Sequence, residues 1–125
     1  MRVTPLALML VASTLAGCGS SNGGGGGPSN PPPADVVIVP GAATKGFQAF
    51  NPDTFTVSLA AGGTVTWRNG ENVSHTVTDT ATVPAFNLSF GATDDTASTT
   101  FTVAGQYGYR CNIHPGMRGL VIVTP

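Results

Sequence analysis

The stretch from Tyr107 to Met117, Tyr-Gly-Tyr-Arg-Cys-Asn-Ile-His-Pro-Gly-Met, contains three kinds of metal-binding side chain within seven residues. They are the thiol of Cys111, the imidazole of His114 and the thioether of Met117. Copper suits such a set, because Cu(I) prefers soft sulfur while Cu(II) accepts imidazole. A trigonal copper site that serves both oxidation states uses two imidazoles, one thiolate and a weak axial thioether. One further imidazole must therefore come from elsewhere in the chain.

His75 is the candidate for that second imidazole, because the sequence contains two histidines in all. It shares strand parity with Val77, so its ring is expected to point toward the same apolar face. The other counts agree, since Met1, Met9 and Cys18 all lie in the amino-terminal leader described below. The rest of the chain thus holds each ligand type in the number that a copper site requires. We predict one type 1 copper ion, bound by His75, Cys111, His114 and Met117.

Taken singly, each of these residues also has an ordinary structural explanation. A buried cysteine usually acts as a small hydrophobic residue, and a methionine at a strand start usually belongs to the core. His75, between Ser74 and Thr76, could be a hydrogen-bonded loop residue. A purely structural β-sandwich or a zinc site therefore stays open, although zinc prefers four strong N, S or O ligands to a thioether. Copper enzymes need further histidines for additional copper ions, and the chain has none.

The sequence from Asp35 to Pro125 shows the alternation typical of β-strands. Apolar and polar residues alternate around Phe55 and around Trp67. Phe101 and Val103 share one parity and predict a further strand. Residues 120–123 are apolar on both faces, as in a central strand. Turn signals separate these runs at about 8 to 12 residue intervals, which predicts an all-β sandwich or barrel over residues 35–125. The turns lie at Ala61-Gly62-Gly63, Asn69-Gly70, Asp94-Asp95, Ala104-Gly105 and Pro115-Gly116.

Residues 1–17 are typical of a secretory signal peptide, with Arg2 as the positive region and an apolar run that is too short to span a bilayer. The sequence Leu-Ala-Gly-Cys at 15–18 resembles the bacterial lipobox, in which the cysteine is acylated and becomes the mature amino terminus. Residues 18–34 are rich in glycine and proline and predict a flexible tether. We therefore expect export to the cell envelope or periplasm with membrane attachment through lipid on Cys18, ordinary secretion being the alternative.

The charge balance argues against a nucleic-acid partner. The chain carries five Lys and Arg against six Asp and Glu, and no basic residue after the leader has a basic neighbour in sequence. A surface that binds phosphates needs a dense basic patch. Arg110 and Arg118 are still notable, because they flank the metal-binding sequence at either end.

The sequence Cys-Asn-Ile-His-Pro-Gly-Met-Arg-Gly at 111–119 resembles the plastocyanin and azurin family of cupredoxins, and the amicyanins within it most closely. Residues 62–67, 73–77 and 119–123 are similar to the same family and extend the resemblance over most of 35–125. The resemblance implies an eight-stranded Greek-key sandwich with copper near one end. It also implies that His75, Cys111 and His114 are strong ligands and that Met117 is the long axial one.

The resemblance further implies that the edge of the His114 ring reaches the surface inside an apolar patch, here Ile113, Pro115 and Gly116. Redox proteins would dock there transiently as electron donors and acceptors, and the chain would act as a monomer without a small-molecule substrate and without being an enzyme. Copper storage or delivery in the cell envelope would use the same ligands and stays open as the alternative.

Two positions depart from the family pattern. Many members have Asn directly after the first histidine ligand and Ser or Thr directly after the cysteine, whereas this chain has Thr76 and Asn112. We expect these two residues to exchange roles as the shell that orients the ligands, because such outer contacts tune a metal site. Arg110 stands where plastocyanins have an aromatic residue, so the second, remote electron route of that group is not expected here.

Overall fold

A computed structural model describes residues 30–125. The predicted signal peptide, Cys18 and most of the predicted tether lie outside the described residues. Within them the chain forms nine strands and three short 3-10 helices, and none of its helices is long and apolar enough to cross a membrane. The strands are β1 (Val36–Ile38), β2 (Phe50–Asn51), β3 (Thr54–Ser58), β4 (Thr64–Asn69), β5 (His75–Asp79), β6 (Asn87–Phe90), β7 (Thr96–Thr100), β8 (Gly105–Arg110) and β9 (Arg118–Thr124). The helices are Ala42–Thr44, Gly46–Ala49 and Leu59–Ala61.

The strands form two packed sheets, which confirms the predicted all-β sandwich. One sheet has the order β2-β1-β4-β7 and the other the order β3-β9-β8-β5-β6. Two neighbouring pairs, β1 with β4 and β3 with β9, are parallel, and the remaining pairs are antiparallel. The expected count of about eight strands is exceeded by one in the described residues, where the two-residue β2 pairs with β1. Residues 120–123 lie in β9, between β3 and β8, as predicted for a central strand.

The strand predicted around Phe101 and Val103 is wrong. β7 ends at Thr100, and the two residues lie in the loop that leads to β8. Phe101 is buried with 5% exposure while Val103 is 64% exposed, so their shared parity does not mean a shared face. The backbone explains the difference, because the Phe101 N–H donates to the carbonyl of Gly63 and the Val103 carbonyl accepts from the Tyr107 hydroxyl, which are loop contacts.

An aromatic cluster in the core fixes β8 just before the metal-binding sequence. Tyr109 packs edge to face against Phe50, with ring centroids 4.9 Å apart, and against Trp67 at 5.6 Å. Such pairs contribute about 0.5 to 1.5 kcal/mol beyond the area they bury. Burial also raises the pKa of Tyr109 to about 12. Gly119 of β9 lies directly against the Tyr109 ring and leaves no room for a Cβ atom, so the two strands approach closely beside the ligand loop.

The topology brings the sequence-predicted ligands to one end of the five-stranded sheet. β8 ends at Arg110 and β9 begins at Arg118, so residues 111–117 form the connection between two neighbouring strands. β5 begins at His75 and pairs with β8 through Thr78 opposite Arg110. Because β5 and β8 are antiparallel, the start of β5 and the end of β8 lie at the same end of the sheet.

Candidate metal centre

Three donor atoms form a small triangle at this end of the sandwich. The Cys111 Sγ lies 3.9 Å from the His75 Nδ1 and 3.9 Å from the His114 Nδ1, and the two Nδ1 atoms are 3.3 Å apart. The three residues are also the one group of three or more His, Cys, Asp or Glu residues that could hold a metal ion in the part of the chain that the structure describes. The start of β5 and the connection between β8 and β9 thus present nitrogen and sulfur to a common point.

The size of the triangle fits a transition-metal ion. A triangle with sides of 3.9, 3.9 and 3.3 Å has a circumradius of about 2.2 Å, and nitrogen and thiolate ligands bind zinc at about 2.0 to 2.3 Å. Copper is a neighbouring ion of similar size and accepts this imidazole and thiolate set. One ion can therefore contact all three donors without movement of the backbone.

Burial keeps most of the centre away from water. His75 is 1% exposed, Cys111 and Met117 are fully buried, and only His114 of the four predicted ligands is partly exposed. The loop is closed by its own backbone, because the Cys111 N–H donates to the Met117 carbonyl and the Met117 N–H donates to the His114 carbonyl. These bonds bring the backbone of Met117 beside Cys111 and His114, while its role as the axial ligand stays a prediction.

Glu71 holds the His75 ring in the orientation that a metal requires. The His75 Nε2 lies 2.9 Å from the Glu71 Oε1, and a carboxylate can only accept, so Nε2 carries the proton. The Nδ1 atom therefore has a free lone pair, and it faces the centre of the triangle. A carboxylate that orients a histidine in this way is a common partner of metal-bound imidazole.

Glu71 is itself fixed by the backbone of the first 3-10 helix. Its Oε2 accepts from the Gly41 N–H at 2.8 Å, and its Oε1 accepts from the Ala42 N–H at 3.1 Å. Partial burial by itself would raise the pKa of Glu71, but these bonds and the bond from His75 together hold the pKa below its usual value. Glu71 is therefore ionised at neutral pH. The fully buried Asn69 supports the same turn, because its side chain bonds the Val73 carbonyl and the Glu71 N–H.

Residues 37–124 match the model of the copper binding proteins of the plastocyanin/azurin family. The chain belongs to the plastocyanin/azurin family. The cofactor of these cupredoxins is one type 1 copper ion, and the donor triangle of this chain fits it.

Individual cupredoxins agree with this assignment. Amicyanin from Paracoccus versutus is 38% identical over 85 residues, which cover 66% of this chain and 64% of that protein. Amicyanin from Paracoccus denitrificans is 35% identical over 89 residues, which cover 69% of this chain and 68% of that protein. A novel purple cupredoxin from Nitrosopumilus maritimus superposes with a TM-score of 0.59 at 26% identity, over 74% of this chain and 100% of that structure.

Thr76, one of the two residues that depart from the cupredoxin pattern, contacts the cysteine sulfur, and Asn112, the other, bonds Thr76. The Cys111 Sγ accepts from the Thr76 N–H at 3.3 Å and from the His114 N–H at 3.4 Å. The Asn112 N–H donates to the Thr76 Oγ1 at 2.8 Å, and the Asn112 side chain donates to the Thr78 Oγ1 at 3.1 Å. Thr76 and Asn112 therefore join the start of β5 to the ligand loop. Relative to the family pattern, the hydroxyl side chain here follows the histidine and the amide side chain follows the cysteine.

The three residues of the expected apolar patch are exposed, and two further exposed apolar residues lie close to the ligands along the backbone. Ile113 is 52% exposed, and Pro115 and Gly116 are also exposed. Phe47 is 66% exposed and follows Gly46, where an added Cβ atom would lie 3.9 Å from the Gly116 carbonyl oxygen. Val73 is 42% exposed and precedes His75 by two residues. We call the exposed surface of Phe47, Val73, Ile113, Pro115 and Gly116 the apolar end patch.

The sequence reasoning missed Glu71, Asn69, Phe47 and Val73. A glutamate four residues before a candidate histidine was a usable signal, because one turn of chain can bring the two side chains together. Phe47 had no such signal, since only the packing of the second 3-10 helix brings it near the ligand loop.

We expect Glu71→Ala to lower the copper affinity by about 10 to 100-fold, because the His75 ring loses the acceptor that fixes its tautomer and orientation. Glu71→Gln, whose amide oxygen can still accept from Nε2, should keep most of the affinity. Competition with a chelator of known strength measures both values.

Asp95→Ala provides the matched control. Asp95 also accepts two backbone N–H bonds, from Gly91 and Ala92, but contacts no predicted ligand. It should leave the copper affinity unchanged. Equal copper affinity in the wild type and Glu71→Ala would show that Glu71 does not orient His75.

Proposed function

We propose that this chain is an electron-transfer protein that uses one copper ion held by His75, Cys111, His114 and the axial Met117. The observation that carries the proposal is the triangle of two imidazole nitrogens and one thiol sulfur, whose size fits a single ion. The bound copper would supply one-electron chemistry by cycling between Cu(I) and Cu(II). No substrate has to bind for that chemistry.

The protein's own contribution is to hold the donors still. Glu71 orients His75, backbone N–H groups of Thr76 and His114 bond the Cys111 sulfur, and loop bonds fix Met117. Ligands that are held by several independent contacts move little when the charge of the ion changes. Small movement of the ligands means a low reorganisation energy, which favours fast electron transfer. A site of this kind does not bind one oxidation state of copper much more tightly than the other.

Access to the centre favours electron transfer over copper delivery. His75 and Cys111 are almost fully buried, and the partly exposed His114 is the ligand nearest to solvent. A delivery protein must release the ion to a partner, which buried ligands oppose. An electron can instead pass through the His114 ring to a partner that covers the apolar end patch. Such an encounter needs only a small and transient interface.

The proposed location is the cell envelope, with the copper domain at 35–125 attached to the membrane through lipid on Cys18 and the tether at 18–34. Support comes from the sequence of the leader and from the composition of the tether. A tethered domain would sample redox partners near the membrane surface without diffusing away from it.

We expect Cys111→Ser to abolish the strong visible absorption of the copper-loaded protein, because that absorption requires charge transfer between a thiolate sulfur and Cu(II). The visible spectrum and the copper content of the purified variant provide the measurement. Thr76→Ser is the control and should keep the colour, since the bond from residue 76 to the Cys111 sulfur comes from the backbone. Retention of the colour in Cys111→Ser would exclude the sulfur as a ligand.

We expect Met117→Leu to bind copper and to raise its reduction potential, because the weak thioether donation that stabilises Cu(II) is lost. The residue is fully buried, so a leucine of similar volume should cost less than about 1.5 kcal/mol of stability. Protein-film voltammetry gives the potential directly. The same potential in the variant and the wild type would remove Met117 from the ligand set.

A further inference from the structure

Arg110 and Arg118 lie directly opposite each other at the ends of the two strands that carry the ligand loop. They are paired in the register of β8 and β9, and both are exposed. Their neighbours Tyr109, Cys111 and Met117 are buried, so the alternation of the strands turns the arginines outward. Two guanidinium groups therefore stand on the outer face of the five-stranded sheet, beside the loop that holds the predicted ligands.

Neither arginine has an acidic partner within residues 30–125. The ion pairs there join Arg68 to Asp94 and His75 to Glu71. Asp53 lies beside β9, with its backbone carbonyl bonded to the Leu120 N–H, but its side chain forms no ion pair. The other carboxylates accept backbone N–H bonds; they are Asp35, Asp79 and Asp95. The two positive charges are thus not neutralised by the domain itself.

The arrangement costs the fold some stability, because like charges directly opposite in an antiparallel pair repel each other. Arg110 is nevertheless held in place, since its Nε donates to the Asn112 Oδ1 at 3.3 Å. Asn112 in turn bonds Thr76 and Thr78 on β5. The Arg110 guanidinium is therefore anchored to the ligand loop, which is the same loop that carries His114 and part of the apolar end patch.

We propose that the Arg110 and Arg118 pair binds clustered carboxylates on an acidic redox protein and so orients that partner over His114. The inference rests on the proposed function and names the chemistry of its partner. Guanidinium groups pair with carboxylates in two-bond geometry, and complementary charge raises association rates about 10 to 1,000-fold. The whole chain has a net charge of −1, so this local positive surface distinguishes one end of the molecule. An anionic membrane is the weaker candidate, because stable attraction needs clusters of about four to eight basic residues.

The experiment measures electron transfer from two cytochromes of opposite charge to the full copper-loaded chain. Reduced cytochrome b5 is the acidic probe and reduced cytochrome c is the basic one, and stopped-flow gives the second-order rate constants. Arg110→Ala/Arg118→Ala should lower the rate with cytochrome b5 about tenfold at about 0.01 M ionic strength and flatten its salt dependence. The rate with cytochrome c should rise, and the visible spectrum should keep its bands because neither arginine is a predicted ligand. The reduction potential of each variant is measured as well, since the loss of two nearby positive charges favours Cu(II), and the rates are compared at equal driving force.

Two further variants separate docking from other effects. Arg110→Lys/Arg118→Lys keeps both charges and should keep most of the rate with cytochrome b5. Val83→Glu/Val103→Glu changes the net charge by the same two units at loops on the opposite end of the sheet, where these side chains are 84% and 64% exposed. It should leave the rate with cytochrome b5 nearly unchanged.

Several results would overturn the inference. One is an unchanged rate in the double alanine variant, and another is an equal fall in the Val83 and Val103 variant, which would assign the effect to net charge. Loss of binding to vesicles of phosphatidylserine, with no change in the rate, would assign the pair to a membrane. If the wild type accepts electrons from neither cytochrome, the proposed function itself is overturned. If the wild type accepts electrons and the double alanine variant does so at the same rate, the inference alone is overturned.

Discussion

The convergence of three donor atoms on one point is the constraint on which the rest of the structure depends. Cys111 and His114 are three residues apart, so their loop brings them together locally. His75 is 36 residues from Cys111, and only the pairing of β5 with β8 places it within 3.9 Å of the sulfur. The sandwich therefore serves the site by fixing the position of one strand end relative to a loop. The packing of Tyr109 against Phe50, Trp67 and Gly119 maintains that position from the core.

Burial of polar ligands has to be compensated, and the contacts around the triangle supply the compensation. An unpartnered buried polar group costs about 1 to 3 kcal/mol. The His75 Nε2–H is satisfied by Glu71, and the Cys111 sulfur accepts from two backbone N–H groups. The Nδ1 atoms of both histidines are turned toward the sulfur and each other, an arrangement that a bound cation stabilises. His75 and Cys111 thus have their outer contacts before the ion itself is considered.

The sequence predicted those parts of the molecule that depend on local pattern. Alternation predicted the sandwich, and the continuous apolar run predicted the central position of residues 120–123. The spacing of Cys111 and His114 predicted their proximity. The count of two histidines, supported by strand parity, predicted His75 as the remaining imidazole. The strand at Phe101 and Val103 failed, because two apolar residues of one parity also occur in a loop. Glu71 and Phe47 were missed since their positions depend on a turn and on a 3-10 helix that have no periodic signal.

The central claim is that one copper ion contacts the sulfur of Cys111 and the imidazoles of both histidines. X-ray absorption at the copper edge of the loaded wild type measures those neighbours directly. The account predicts one sulfur and two imidazole nitrogens, at distances near those of zinc sites, about 2.0 to 2.3 Å. A spectrum with no sulfur neighbour, or with a single imidazole, would contradict it.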